Sequence, residues 1–355
     1  MKLNLRKIAS PFFDSIISIR FGIMPNILIT GASGFLGGRT ASYFAQIPQF
    51  KVRATSRSNK KADALTDLGC DFMQGDLIDS KFVAKLVEGI DIVVHCAALS
   101  SPYGIRSDFH SANIIATENL LIAAKLVGVK KFIFISSPTI YVDLKPKFNI
   151  KETDPLPKKS VNLYAETKLK AEQFVLSHNG KGIQTLALRP RAIIGAEDTV
   201  IFPRVLNAYD QGKLKIVGRG DNICDLTCVR NVIEAIHCSM QAPIDAYGEA
   251  YNITNGEPVN FWGSLNYALE SLGYQPVQKK VSKKVALTAA TVVESYYKIF
   301  KPTIEPALTA YGIAVLADHF TMDISKAKTL LNYQPVMTTQ EGIDEFIQWY
   351  KSNES

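Results

Sequence analysis

Three residues near the middle of the chain could do acid–base chemistry. Tyr164 and Lys168 stand at i and i+4 in the run Tyr164-Ala165-Glu166-Thr167-Lys168, which sets both on one face of a helix. A free tyrosine, with a pKa of about 10, is a poor acid–base group at neutral pH. A nearby ammonium favours the phenolate and lowers that value. Ser137 follows the apolar run Lys131 to Ile135, and its hydroxyl could hold a carbonyl oxygen while the tyrosine exchanges a proton. A lone tyrosine–lysine pair at this spacing is common by chance, and an exposed helix would account for it equally well. Here the pair stands downstream of a glycine-rich turn, a row of short apolar runs and a serine at the end of one of them.

The glycine turn is the stretch Asn26 to Gly38, NILITGASGFLGG. Ile27-Leu28-Ile29 reads as a strand, Gly31, Ser33, Gly34, Phe35, Leu36 and Gly37 as the turn, and Arg39 to Ile47 as a helix. Glycines let the backbone turn sharply and approach a pyrophosphate, and the helix start offers free N–H groups and the positive end of its dipole. The spacing is GxxGxxG rather than GxGxxG. Three glycines alone are weak evidence, and it is the strand before and the helix after that point to a nucleotide.

Positioning these groups takes a parallel sheet. Further strands are expected at Lys51–Thr55, Asp71–Gln74, Ile90–His95, Lys131–Ile135 and Ile183–Leu188, with helices at Lys81–Glu88, Ser111–Val127 and Asn162–Ser177 between them. Short buried strands alternating with helices imply right-handed crossovers. Ligands on such sheets bind beyond the strand carboxyl ends. Asp143 to Val161 is Pro- and Lys-rich and reads as a loop. Past Arg191 the alternation fails. Helices are expected at Phe202–Gln211, Val229–Met240, Trp262–Leu272, Lys284–Phe300, Pro306–Asp318 and Gln340–Tyr350, with a strand near 250–254 returning to the sheet. The expected division is a nucleotide domain over 24–190 and a substrate region over 191–355.

The chain has 355 residues, 47% hydrophobic and 21% charged, with a net charge of +7. That suits one large α/β unit or two joined domains, not bulk disorder. Scattered lysines without interleaved aromatics give no nucleic-acid pattern. Five cysteines without regular spacing fit reduced thiols in a cytoplasmic protein. Cys224 and Cys228 lack a second Cys/His pair, so no metal site is expected. Residues 1–23 form a basic extension with two readings, a disordered segment or, more sharply, a membrane-surface amphipathic helix. Lys279, Lys280, Lys283 and Lys284 precede the apolar stretch Val285 to Val293, a pattern compatible with peripheral membrane contact as well as with a solvated charge run.

With these motifs together, the chain resembles an extended short-chain dehydrogenase/reductase, of the NAD-dependent epimerase/dehydratase superfamily. The matching runs are TGASGFLG at 30–37, GDL at 75–77, HCAA at 95–98, SSPTIY at 136–141, YAETK at 164–168 and LRP at 188–190. The resemblance implies a Rossmann-type doubly wound parallel sheet, with a smaller, mostly helical C-terminal substrate domain. It implies Ser137, Tyr164 and Lys168 as the catalytic trio; Ser137 is preferred to Ser136 because the family's serine lies four residues before the tyrosine that is here Tyr141. It places Asp76, with Leu77, near the adenine, Ala97 and Ala98 along the cofactor, Pro190 by the nicotinamide and Lys168 on its ribose. It gives Asn113 a mainly structural role. The second half is similar to the 3β-hydroxysteroid dehydrogenase-like branch, which includes 2-alkyl-3-oxoalkanoate reductases, over 187–198, 202–232 and 251–258. A homodimer is the expected assembly.

Three readings follow. One is an NAD(P)-dependent oxidoreductase interconverting a 3-hydroxy and a 3-oxo group on a hydrophobic, steroid-like or long-chain oxoacid substrate. The second is a nucleotide-sugar epimerase or dehydratase, and the third a non-catalytic nucleotide binder. The Ser-Tyr-Lys set speaks against the third. By resemblance, dehydratases carry Thr-Asp-Glu near the serine, where this chain has Ser137-Pro138-Thr139. Sugar-nucleotide enzymes of the family place an arginine before the Asp that is here Asp225; this chain has Cys224, with Arg219 and Arg230 as neighbours that could compensate. At the second strand's end an acid suits NAD(H), whereas an arginine suits the 2′-phosphate of NADP(H). Thr55-Ser56-Arg57-Ser58 predicts a preference for NADP(H), with Arg57 on the phosphate.

Overall fold

The apolar runs do form strands, and their alternation explains why both sheet faces are covered. A computed structural model describes residues 24–353; the expectations for residues 1–23 lie outside the described residues. Strands β1 (Asn26–Thr30), β2 (Lys51–Ser56), β3 (Asp71–Gln74), β4 (Ile92–His95), β5 (Lys131–Ile135), β6 (Gln184–Pro190) and β7 (Ala250–Ile253) make one seven-stranded sheet. Its order is β7-β6-β5-β4-β1-β2-β3, with every neighbouring pair parallel. Ile27, Ile29, Ile92, Val94, Ile133 and Ile135 face one core. Leu28, Val93, Phe132 and Phe134 face the other. That is the period of two of a strand, here apolar on both sides.

Helices α1 (Phe35–Ala45) and α4 (Val229–Gln241) cover the first face. Helices α2 (Ala116–Leu126) and α3 (Leu163–Ser177) cover the second. Helix α1 begins at Phe35 rather than Arg39, so Gly37 and Gly38 lie inside its first turns. Propensity argues against glycines there, but packing requires Gly37: a Cβ on it would lie 2.3 Å from the Gly31 carbonyl oxygen. The helix expected from Ser111 is broken differently. A short helix, Arg106–Phe109, runs into a π-turn, His110–Ile115, before α2 starts.

The part of the molecule beside the main sheet is assembled across long sequence distances. Lys147–Ile150, inside the expected loop, pairs with Phe320–Met322. Cys224 pairs with Phe320, and Ile223–Cys224 pairs with Val259–Asn260. The cap therefore contains a small four-stranded sheet as well as helices α5 (Lys283–Phe300) and α6 (Ala310–Ala317). The expected helix Pro306–Asp318 is shorter, since its first residues form the loop leading into the Thr309 cap, whose side chain accepts the Gly312 N–H.

Candidate active site

Strand order reverses between β1 and β4, and their carboxyl ends open a crevice for the loops that follow. The glycine turn follows β1. Gly31 has φ +71°, and a Cβ there would meet Ala97 backbone atoms at 2.9 Å. The turn and the loop after β4 thus pack backbone to backbone. Helix α1 starts after Gly34, which has no side chain to cap it, so its first N–H groups face the crevice without a side-chain partner. The cradle fits a dinucleotide pyrophosphate.

His95, at the end of β4, bonds both neighbours. Thr30 Oγ1 accepts the Ala97 N–H at 3.1 Å and lies 2.8 Å from His95 Nδ1. His95 Nε2 lies 2.9 Å from Thr117 Oγ1, which donates to the Asn113 carbonyl. With one proton per hydroxyl, Thr30 donates to Nδ1 and Nε2–H donates to Thr117. Burial and, secondarily, Lys168 push the imidazole down to about 3, so it stays neutral and fixes the loop geometry. Asn113, in the π-turn, accepts the Leu99 N–H at 2.7 Å and donates to the Leu99 carbonyl and Thr167 Oγ1. It thereby ties the β4 loop to α3, one residue from Lys168.

Asn162 Oδ1 caps α3 by accepting the Ala165 N–H at 2.8 Å. That cap fixes the start of the turn carrying Tyr164 and Lys168. Lys168 is buried; its Nζ donates to the Ile135 carbonyl at 2.5 Å and lies 3.9 Å from the centre of the Phe134 ring. Burial lowers its pKa to about 7. For Tyr164 burial dominates over the lowering influence of the neighbouring Ser137 and pushes the phenol up to about 12. The expected lowering by the lysine is therefore corrected: Lys168 directs its ammonium at the β5 carbonyl end, and desolvation outweighs the rest. Ser137 Oγ donates to Thr139 Oγ1 at 2.9 Å and accepts the Thr139 N–H at 3.2 Å. Thr139 Oγ1 lies 3.4 Å from the Tyr311 hydroxyl on α6.

All the candidate residues line one cleft of about 2020 Å³: Gly31, Ser33, Gly34, Phe35, Leu36, Gly37, Arg57, Asp76, Leu77, Ala97, Ala98, Ser137, Tyr164, Lys168 and Pro190. Arg57 is exposed, with a guanidinium nitrogen 4.0 Å from Asp76 Oδ2. An acid thus stands beside Arg57 after all, supplied by the end of β3 rather than β2. Cys224 is buried on the cleft wall. Neither proposed compensating arginine lines it. Arg219 pairs with Asp221 at 2.8 Å, and Arg230 stacks on Tyr43 at 4.0 Å. Arg191 and Arg204 line the cleft instead, the second held by Glu305 at 3.1 Å. Sequence reasoning missed Arg191 and Tyr311 as lining groups, because only folding brings the cap's long-range segments to the trio. Cys228 lies against Thr338 and Asn255, and among the described residues no cluster could hold a metal ion.

Comparison with known proteins agrees with this architecture. The model of the NAD dependent epimerase/dehydratase family matches residues 27–254. A 3β-hydroxysteroid dehydrogenase/decarboxylase (isoform 1) of Arabidopsis thaliana is 32% identical over 343 residues, covering 90% of this chain and 78% of that protein. A 2-alkyl-3-oxoalkanoate reductase of Shewanella oneidensis is 30% identical over 327 residues, covering 89% and 84%. The crystal structure of a UDP-glucuronic acid 4-epimerase from Bacillus cereus with NAD superposes with a TM-score of 0.72 over 93% of this chain and 100% of that one, at 22% identity, which speaks for the fold alone. Given a glycine cradle at the β1–β4 crevice, a family match over most of the sheet and relatives similar along nearly the whole length, the chain belongs to the NAD-dependent epimerase/dehydratase family, in its 3β-hydroxysteroid dehydrogenase-like and 2-alkyl-3-oxoalkanoate reductase branch.

Proposed function

We propose that the protein interconverts a 3-oxo and a 3-hydroxy group on a hydrophobic, long-chain oxoacid or steroid-like skeleton, with NADP(H) preferred over NAD(H). The bound dinucleotide supplies or accepts the hydride. The residues do the rest. Ser137 Oγ holds the substrate oxygen, Tyr164 exchanges its proton, and Lys168 binds the cofactor ribose next to them. A phenol held up at about 12 stays protonated at neutral pH, which suits it to donate a proton in the reductive direction.

The observation that carries the substrate reading is the far wall of the cleft. Leu308, Ile313, Leu316, Val281, Val217 and Phe261 line it, and Cys224 stands where a diphosphate-binding arginine would be expected by resemblance. Apolar walls with a few placed polar groups are the usual form of such pockets. Arg191 is the exception. Its Nε is buried without a hydrogen-bond partner among the described residues, and its guanidinium lies over Phe320. With Arg204 held by Glu305 and the Arg191 charge beside the buried Asp225, this wall suits a diphosphate poorly. The names of the relatives, a 3β-hydroxysteroid dehydrogenase/decarboxylase and a 2-alkyl-3-oxoalkanoate reductase, support the same class. Arg57, exposed on the cleft, suits the 2′-phosphate of NADP(H).

Calorimetric titration of the cofactor-loaded protein with UDP-glucuronic acid tests the reading. No measurable binding is expected. Tight binding, or turnover to an epimer, would overturn it in favour of a sugar-nucleotide enzyme.

A further inference from the structure

Helix α5 fully buries only Ala286 and Ala290 against the cap, with Leu287 partly buried beside them. Val285, Ala289, Val292, Tyr296, Ile299 and Phe300 share another side, within roughly 100° of arc at about 100° per residue. Val292, Ile299 and Phe300 are 65%, 71% and 66% exposed, and exposed Ile304 continues the strip past the helix end. Single exposed apolar side chains are ordinary, but a continuous strip of this length marks a contact surface. The same segment is basic. Between 279 and 304 stand Lys279, Lys280, Lys283, Lys284, Lys298 and Lys301 against Glu294 alone. Lys283 is held by Asp318; the other five are exposed. Val285 and Ala289, at the start of the strip, also line the cleft.

We propose that α5 is a docking surface for an anionic lipid bilayer. The helix lies in the membrane plane, with its strip in the headgroup–acyl boundary and Lys279, Lys280 and Lys284, at the start of the strip, toward lipid phosphates; Lys298 and Lys301 stand on the opposite side of the helix. No helix among the described residues is long and apolar enough to cross a membrane, so α5 lies on the bilayer. Docking also brings the cleft wall to the lipid surface, giving a hydrophobic substrate a route that avoids water. This second step rests on the substrate reading above; the docking itself does not.

Flotation with vesicles of phosphatidylcholine and phosphatidylglycerol in equal parts tests the proposal. The protein is expected to float at low salt, to lose binding as salt rises, and to bind phosphatidylcholine alone far less. The double variant Ile299→Glu/Phe300→Glu should lower the partition coefficient at least about tenfold, with cofactor affinity unchanged. Lys279→Glu/Lys284→Glu should remove the preference for phosphatidylglycerol. A wild-type protein left at the bottom, or a double variant that floats equally well, overturns the proposal. So does a dimer in solution that the double variant dissociates, since a second copy would then own the strip. For delivery, the double variant should slow turnover of a vesicle-borne long-chain 3-oxo acid and leave turnover of a short soluble one intact. Flotation without turnover of either acid supports the docking and sinks the substrate reading alone.

Discussion

On and behind the nucleotide wall of the cleft, the polar groups that shape it are largely held, with Ser136 Oγ and Asn162 Nδ2 as exceptions among the described residues. Lys168 is fixed on the Ile135 carbonyl, His95 between two threonines, Asn113 on Leu99 and Thr167, and Ser137 on Thr139. On the cap wall, Leu308, Ile313 and Leu316 offer mainly shape, and α5 leaves an apolar strip open to solvent. The two walls meet different demands. Moving a proton and a hydride requires reacting atoms held at close, fixed distances. Sequestering a hydrocarbon skeleton requires only dry, complementary surface. Changes on the first wall should therefore act on turnover, and changes on the second on substrate affinity and choice.

The largest effect is expected at the backbone cradle. In Gly37→Ala the added methyl would meet the Gly31 carbonyl at 2.3 Å, a contact with backbone that no side-chain rotation relieves. Loss of soluble protein, or of cofactor binding in a folded remnant, should show by thermal melting and dinucleotide fluorescence. A normally melting, cofactor-binding variant would show that the walls are less different than argued. Next, Tyr164→Phe should lower turnover at least about 100-fold with cofactor affinity unchanged; near-normal turnover would remove Tyr164 from the mechanism. Across the cleft, Leu308→Asp places a carboxylate in the apolar wall. It should raise KM for a hydrophobic ketone about tenfold or more and leave the dissociation constant of the cofactor alone. A fall in kcat at constant KM would contradict the division of labour.

These positions were not equally legible. The glycine turn, Ser137 and the Tyr164–Lys168 pair are short-range patterns, each fixed by one strand end or one helix turn. The resemblance already implied a structural role for Asn113, but its partners, and those of His95, depend on a π-turn and on threonines distant in the chain. Leu308 and Tyr311 lie in an apolar stretch, Ala307 to Leu316, that suits a pocket wall and ordinary core equally, and Arg191 gave no local signal. The pairing of Phe320 with both Cys224 and Lys147 joins segments far apart in the chain, and no periodicity in any one of them encodes that. The acid near Arg57 was missed for the same reason: Asp76 is distant in sequence but adjacent across the sheet.

Smaller effects sharpen the nucleotide wall itself. Arg57→Ala should lower the ratio of NADP(H) to NAD(H) efficiency by about tenfold, the scale expected for one exposed charge-assisted contact. Asp76→Asn should raise the ratio by relieving the repulsion between its carboxylate and a 2′-phosphate. Unchanged ratios in both variants would place the adenosine ribose elsewhere. The smallest effect is on stability. Folding lowers the Lys168 pKa to about 7, below the ordinary lysine value of about 10.4. Between those values the unfolded chain binds more protons, so the contribution of Lys168 to stability rises with pH across the window and is constant outside it. In the cofactor-free protein, Lys168→Met should flatten the corresponding rise in melting temperature. A variant with the wild-type slope would mean that the lysine is not held as a buried, weakly basic amine.

The central claim is that these walls together reduce a 3-oxo group on a hydrophobic skeleton. Its most direct test is the rate of NADPH oxidation by the wild-type protein across a panel of long-chain 2-alkyl-3-oxoacids, 3-oxosteroids and nucleotide sugars. The account predicts turnover with at least one of the first two classes, faster with NADPH than with NADH, and none with the sugars. Turnover confined to the nucleotide sugars, whether as cofactor oxidation or as epimer formation, would contradict it.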